Sequence, residues 1–279
     1  MNKIALTQHR TQQAHKPIDI YVISSTLHFF WAFMLAQKNR LSRESHLIAI
    51  DQYADKPLIM MNYLKGAVSP FWTYEVLAGR ELKALDKIQN RRHQFEKLRK
   101  IAQSMPVEKV FIGNDRSVIG QFFIKELKLN NPNIIACFID DGVYSYLGRG
   151  ASQKWSEKWL DAFFKKITYG FWYDVPSTVG ASKWIDEVWV MYPEKVNSAL
   201  ATKKVVEILP DNQGFKALMA LSEKLFLGLG LKAETLASID VLITLPNETV
   251  FSKIDGYQSI MRLLVSNLVS QGKKVAIKY

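Results

Sequence analysis

The sequence predicts an α/β fold built on a doubly wound, mostly parallel sheet, and three observations carry that expectation. Short apolar runs rich in Ile and Val recur along the chain. Segments with helical spacing separate them. The runs are mostly apolar rather than alternating, as in strands covered on both faces.

The elements follow in order. Residues 18–24 (IDIYVIS) read as a strand and 27–38 as a helix with an aromatic stripe. Residues 45–50 form the next strand, and charges at helical spacing over 73–105 predict one long helix or two. VEKVFI (107–112) is a strand, 118–127 a helix, and IIACFI (134–139) a strand. A helix is expected over 152–169, strands over 185–191 and 205–209, and a helix over 215–229. Gly228, Gly230 and 232–235 look like a linker. A strand at 240–244, a helix at 257–270 and a strand at 274–278 then make a βαβ unit too small to enclose a core of its own. The expected domains are therefore 1–232 and 233–279, the second incomplete. About 100 further residues would bring it to usual domain size. Leu263, Leu264, Leu268, Val275 and Ile277 are expected to be covered by the first domain or by a neighbouring copy.

The chain has 279 residues, 48% hydrophobic and 23% charged, as in ordinary globular proteins. No apolar run reaches the ~18–20 residues of a membrane span. The N-terminal stretch is polar, unlike a secretory signal, and a lone cysteine, Cys137, rules out an internal disulfide. A cytoplasmic protein is expected. The net charge of +11 favours anionic partners. Its basic residues are dispersed, and no zinc-ligand spacing or nucleic-acid motif accompanies them, so neither a metal nor nucleic acid is expected.

Three polar clusters follow strands, at the ends where open α/β sheets bind ligands. They are Ser24-Ser25-Thr26, Gly113-Asn114-Asp115-Arg116 and Asp140-Asp141-Gly142. Each precedes a helix, so an N-cap role competes with a binding role for Ser25, Thr26, Asn114 and Asp115. The adjacent carboxylates repel each other, and Gly142 lets the backbone turn sharply beside them. His28, just beyond Ser25-Thr26, either faces a ligand or serves as a structural histidine. Cys137 reads as strand core. In 155–173 (WSEKWLDAFFKKITYGFWY), Trp155, Trp159, Phe163 and Ile167 share a face flanked by lysines. That pattern fits either a core helix or one lying in a membrane interface.

FIDDGVYSY resembles the acidic motif of bacterial sialyltransferases, of the lipooligosaccharide sialyltransferase and polysialyltransferase type. YVISSTLHFFWA and FIGNDRS are similar to what those families place around the acceptor. The resemblance implies a GT-B fold of two Rossmann-like domains and an inverting, metal-independent glycosyltransferase. The reaction implied is transfer of a nonulosonic acid from CMP-sialic acid or a related donor to a glycan acceptor in lipooligosaccharide or capsular polysaccharide synthesis. The second acid of the motif, Asp141, would be the general base. Ser25, Thr26, His28, Asn114, Asp115, Asp140 and Gly142 would meet the acceptor, and Thr244, Pro246 and Asn247 the donor. No cofactor is implied beyond that donor substrate. A peripheral contact with the inner face of the membrane would suit such an enzyme. The family's His-Pro pair is absent from the chain. A transferase using another nucleotide sugar and a non-catalytic glycan-binding relic therefore stand as alternatives.

Overall fold

The computed structural model describes residues 16–54, 58–64, 69–148, 163–228, 230, 237–244 and 256–278. The chain divides into two compact units, Met1–Ala220 and Leu221–Tyr279.

The first unit is a seven-stranded sheet. Its elements are β1 (Ile18–Ile23), α1 (Thr26–Lys38), β2 (Glu44–Gln52), β3 (Thr73–Ala78), α2 (Ala84–Ser104), β4 (Val107–Ile112) and α3 (Val118–Asn130). There follow β5 (Ile135–Ile139), the short α4 (Val143–Leu147), a helical stretch over 163–169, β6 (Glu187–Val190) and β7 (Lys204–Glu207). Every pairing is parallel, in the order β3-β2-β1-β4-β5-β6-β7. The strand order therefore reverses between β1 and β4, the switch point at which doubly wound sheets leave a crevice beyond the carboxyl ends of their strands. Central strands are buried on both faces along most of their length, as their mostly apolar runs required. One face packs Ile20, Val22, Val110 and Ile112 against Phe122, Phe123 and Leu127 of α3 and Leu98 of α2. On the other face Tyr21 stacks on Phe111, with ring centroids 4.8 Å apart.

Two corrections concern this unit. The helix expected over 73–105 is a strand followed by a helix. Thr73, Tyr74 and Val76 suit a strand, and Gly79, at φ 125°, breaks the chain before α2 begins. The α4 turn was not anticipated; five residues carry no readable period.

Helix α5 (Asn212–Gly228) spans the division between the units. The second unit holds the parallel pair β8 (Val241–Thr244) and β9 (Val275–Lys278), with α6 (Tyr257–Ser270) between them in sequence. Leu263, Leu264 and Ile277 of this unit are exposed. Two strands and a helix cannot close a core around them.

Candidate functional site

All seven strands run the same way, so the three polar clusters lie along one edge of the sheet. Ser25 is the N-cap of α1, its Oγ accepting from the His28 amide at 3.3 Å. The next turn carries His28 inward, leaving its side chain only 3% exposed. A Cβ on Gly113 would sit 2.2–2.4 Å from the imidazole, so the lack of a side chain at 113 makes room for this ring. The Ser24 amide points at Nδ1 from 3.5 Å, and the Ser24 hydroxyl is 3.3 Å away. With Nδ1 accepting, Nε2 carries the hydrogen and donates it to Asp141 Oδ1 at 2.8 Å. The pairing joins residues 113 positions apart.

Asp140 and Asp141 are adjacent but differently placed. The Asp140 side chain turns back into the sheet, and the residue is 2% exposed. Its Oδ1 accepts from the Gly142 amide at 2.8 Å, and its Oδ2 accepts from the Met191 amide at 3.1 Å and from the Tyr146 hydroxyl. Burial, reinforced by the Asp140 carboxylate, pushes the Tyr146 phenol well above its ordinary range. The Asp141 amide donates to Ser145 Oγ at 2.8 Å, and its side chain is 17% exposed. Oδ1 is held by His28, and among the described residues no hydrogen bond is made to Oδ2. Gly142, at φ 65°, permits the turn that separates the two acids, with Leu27 packed beside it. The carboxylate is thus oriented through one oxygen while the other faces outward, the arrangement a proton-accepting base needs.

The structure distributes the other expected residues unevenly. Asp115 is fully buried, its two oxygens accepting from the amides of Gly180 at 2.7 Å and Ser182 at 2.8 Å. Burial raises its carboxyl pKa, against the pull of those two amides. Asp115 therefore pins a loop. His28 and Asp140 are likewise buried, each hydrogen-bonded to its neighbours. Thr26 is exposed at the start of α1, Ser25 half-buried beside it, and Asn114 closes its own turn by accepting from the Arg116 amide at 3.1 Å. Cys137 is buried in β5, its thiol pushed well up by burial. Thr244 ends β8, while Pro246, Asn247, Trp155 and Trp159 lie outside the described residues. Phe163, Phe164 and Ile167 are exposed. Among the described residues no group of acids, histidines and cysteines could hold a metal, and no helix is long and apolar enough to cross a membrane.

Sequence reading missed a cleft of about 510 Å³ on this edge. Ser24, Ser25, Asn114 and Ser117 line it, together with Arg80, Lys87, Arg91, Arg116 and Lys165. Its cations come from distant segments, so no local pattern marks it.

No family profile and no curated protein sequence matches the chain. Solved structures with a similar chain path include the α/β-galactoside α-2,3-sialyltransferase of Photobacterium phosphoreum. It shows 13% identity and a TM-score of 0.46, over 84% of this chain and 65% of that one. A UDP-N-acetylglucosamine 2-epimerase gives 12% identity and a TM-score of 0.48, over 94% of this chain and 63% of that one. A sialyltransferase of Photobacterium damsela gives 12% and 0.44, over 91% and 57%. The chain thus spans less than two thirds of the length of these structures.

Proposed function

We propose that this chain forms the acceptor side of an inverting, metal-independent glycosyltransferase of GT-B type, with Asp141 as general base. The donor in this reading is a CMP-activated nonulosonic acid and the acceptor a surface glycan, as in lipooligosaccharide or capsular polysaccharide synthesis. The single observation that carries the proposal is the Asp141 carboxylate. It stands at the carboxyl edge of the sheet, oriented through Oδ1 by His28 Nε2 at 2.8 Å.

The chemistry follows from that placement. Asp141 Oδ2 accepts the proton of the acceptor hydroxyl as its oxygen bonds to the anomeric carbon of the donor. The bond from that carbon to the phosphate oxygen breaks on the opposite face, and cytidine monophosphate leaves with the electron pair. His28 keeps the carboxylate in place, and its donated hydrogen bond leaves Oδ2 as the stronger acceptor. Thr244, Pro246 and Asn247 are assigned to the donor by the motif resemblance.

The test is a transfer assay on the complete protein with a CMP-nonulosonate, offered against a panel of glycan acceptors. Wild type should release cytidine monophosphate only with acceptor present, and Asp141→Asn should be nearly silent. Turnover with a uridine or guanosine sugar instead would assign another donor. Exposed Phe163, Phe164 and Ile167 also fit a peripheral contact at the inner membrane face. Replacing Phe163 and Phe164 by Ser should then release the protein from anionic vesicles without lowering its Tm.

A further inference from the structure

We infer that the cleft between β1, β2 and β4 binds a phosphate group carried by the glycan acceptor. Three independent features converge on it.

The first is charge. Among the described residues, Arg80, Lys87, Arg91, Arg116 and Lys165 line the cleft against one carboxylate, Asp51. Asp51 is already engaged. Its Oδ2 accepts from the Ser117 hydroxyl at 2.9 Å, and its Oδ1 lies 3.6 Å from Arg91 Nη2. Arg91 is only 14% exposed, held also over the Tyr169 ring at 5.6 Å. A guanidinium withdrawn this far from water, beside four further cations, is stabilised by bound negative charge.

The second is backbone polarity. Ser25 is the N-cap of α1 and Ser117 that of α3, so two helices of thirteen residues each open into the cleft by their N-termini. Neither carries an acidic residue in its first turn, and Ser117 makes no capping bond because its hydroxyl is turned to Asp51. Ser25 already caps α1, so the α3 end is the one left to an exogenous anion.

The third is position. β1 and β4 flank the reversal of strand order, where such sheets take their ligands. Ser24, on the wall of the cleft, is 3.3 Å from His28 Nδ1, and His28 reaches Asp141 through Nε2. A sugar whose phosphate sits in the cleft is thereby placed beside the carboxylate. Arg80, Lys87 and Arg91 alone exceed Asp51 by two charges; a single carboxylate on the ligand would match only one of them, whereas a phosphate monoester carries nearly two charges and three acceptor oxygens. Phosphate is the better match.

The reading of this anion as part of an acceptor rests on the transferase proposal, but its binding can be measured without donor or turnover. Calorimetry on the full chain at low salt should show binding of glucose 6-phosphate and none of glucose. Inorganic phosphate should bind more weakly than the sugar phosphate, and N-acetylneuraminic acid, a carboxylate sugar, more weakly still. Lys87→Gln and Arg91→Gln should each weaken glucose 6-phosphate by ~10-fold or more with Tm within a degree or two. Lys100→Gln, on exposed surface at the far end of α2, should leave it unchanged. Equal loss with Lys100→Gln would reduce the effect to general charge. Equal affinity for inorganic phosphate would remove the glycan, and preference for N-acetylneuraminic acid would remove the phosphate. Any of these overturns the inference. Intact sugar-phosphate binding without transfer from any nucleotide donor would sink the transferase reading while leaving the cleft assignment standing. Transfer to unphosphorylated acceptors, unaffected by Lys87→Gln, would do the reverse.

Discussion

Two turns follow neighbouring strands of one sheet, Asn114-Asp115 after β4 and Asp140-Asp141 after β5, and each ends on an aspartate preceding a helix. In the first, the second residue is the one enclosed, its oxygens taken by two backbone amides of the loop at 180–182. In the second, the first residue is enclosed by the Gly142 and Met191 amides and the Tyr146 hydroxyl, which leaves Asp141 to face outward. Type and location are alike, and roles differ because of which backbone amides pass nearby. An acid saturated by amides stabilises a loop. An acid held through one oxygen by a histidine can take a proton.

That contrast can be broken at several points. The largest effect expected is on turnover. Asp141→Asn should lower it ~10²–10⁴-fold at unchanged Tm and nearly unchanged donor affinity. If Asp141→Asn turns over normally, the outward acid has no chemical role. Asp115→Ala should act the other way, stranding two buried amides and costing about 2–4 kcal/mol in denaturant unfolding, with any loss of activity following loss of fold. A variant as stable as wild type would show that Asp115 does not pin the loop. Asp140→Asn keeps one good acceptor and should cost about 1–2 kcal/mol, with turnover within a few-fold of wild type.

The smallest effect is a pH dependence away from both turns. Burial raises the Glu187 carboxyl pKa, but Lys204, the Trp189 indole and Lys109 outweigh it and hold the carboxyl at about 2. Because the folded value lies below the ordinary one, this contribution is complete above the usual carboxylate range. It fades as pH falls from that range toward about 2. Glu187→Gln should therefore lower Tm at neutral pH, and the gap from wild type should narrow as acid is added. A gap that stays constant with pH would assign the loss to packing.

Much of this was legible in the sequence. Mostly apolar runs marked β1, β4 and β5 closely, because strands covered on both faces admit few polar residues. β3 was hidden because it is half-exposed, and its mix of Thr, Tyr, Glu and Val before a charged helix passes for the helix's first turns. The acidic turn was visible from its place after a strand. Its histidine was named as a candidate, but their pairing was not visible, since 113 residues separate them and nothing local ties them together. The basic cleft was illegible for the same reason: Arg80, Lys87 and Arg91 sit on one stretch, Arg116 and Lys165 on others, and only the fold gathers them.

The central position of β1 bears on how the chain is made. β1 leaves the ribosome before β2 and β4, yet it ends between them, parallel to both. Its pairing with β2 can form once residue 52 has emerged, but its other edge stays open until 107–112 follow. During that interval IDIYVI presents unpaired amides and carbonyls on an apolar strand, the kind of edge that recruits other chains. A translational pause between residues 53 and 106 should therefore raise aggregation of nascent chains, whereas one placed after residue 112 should not.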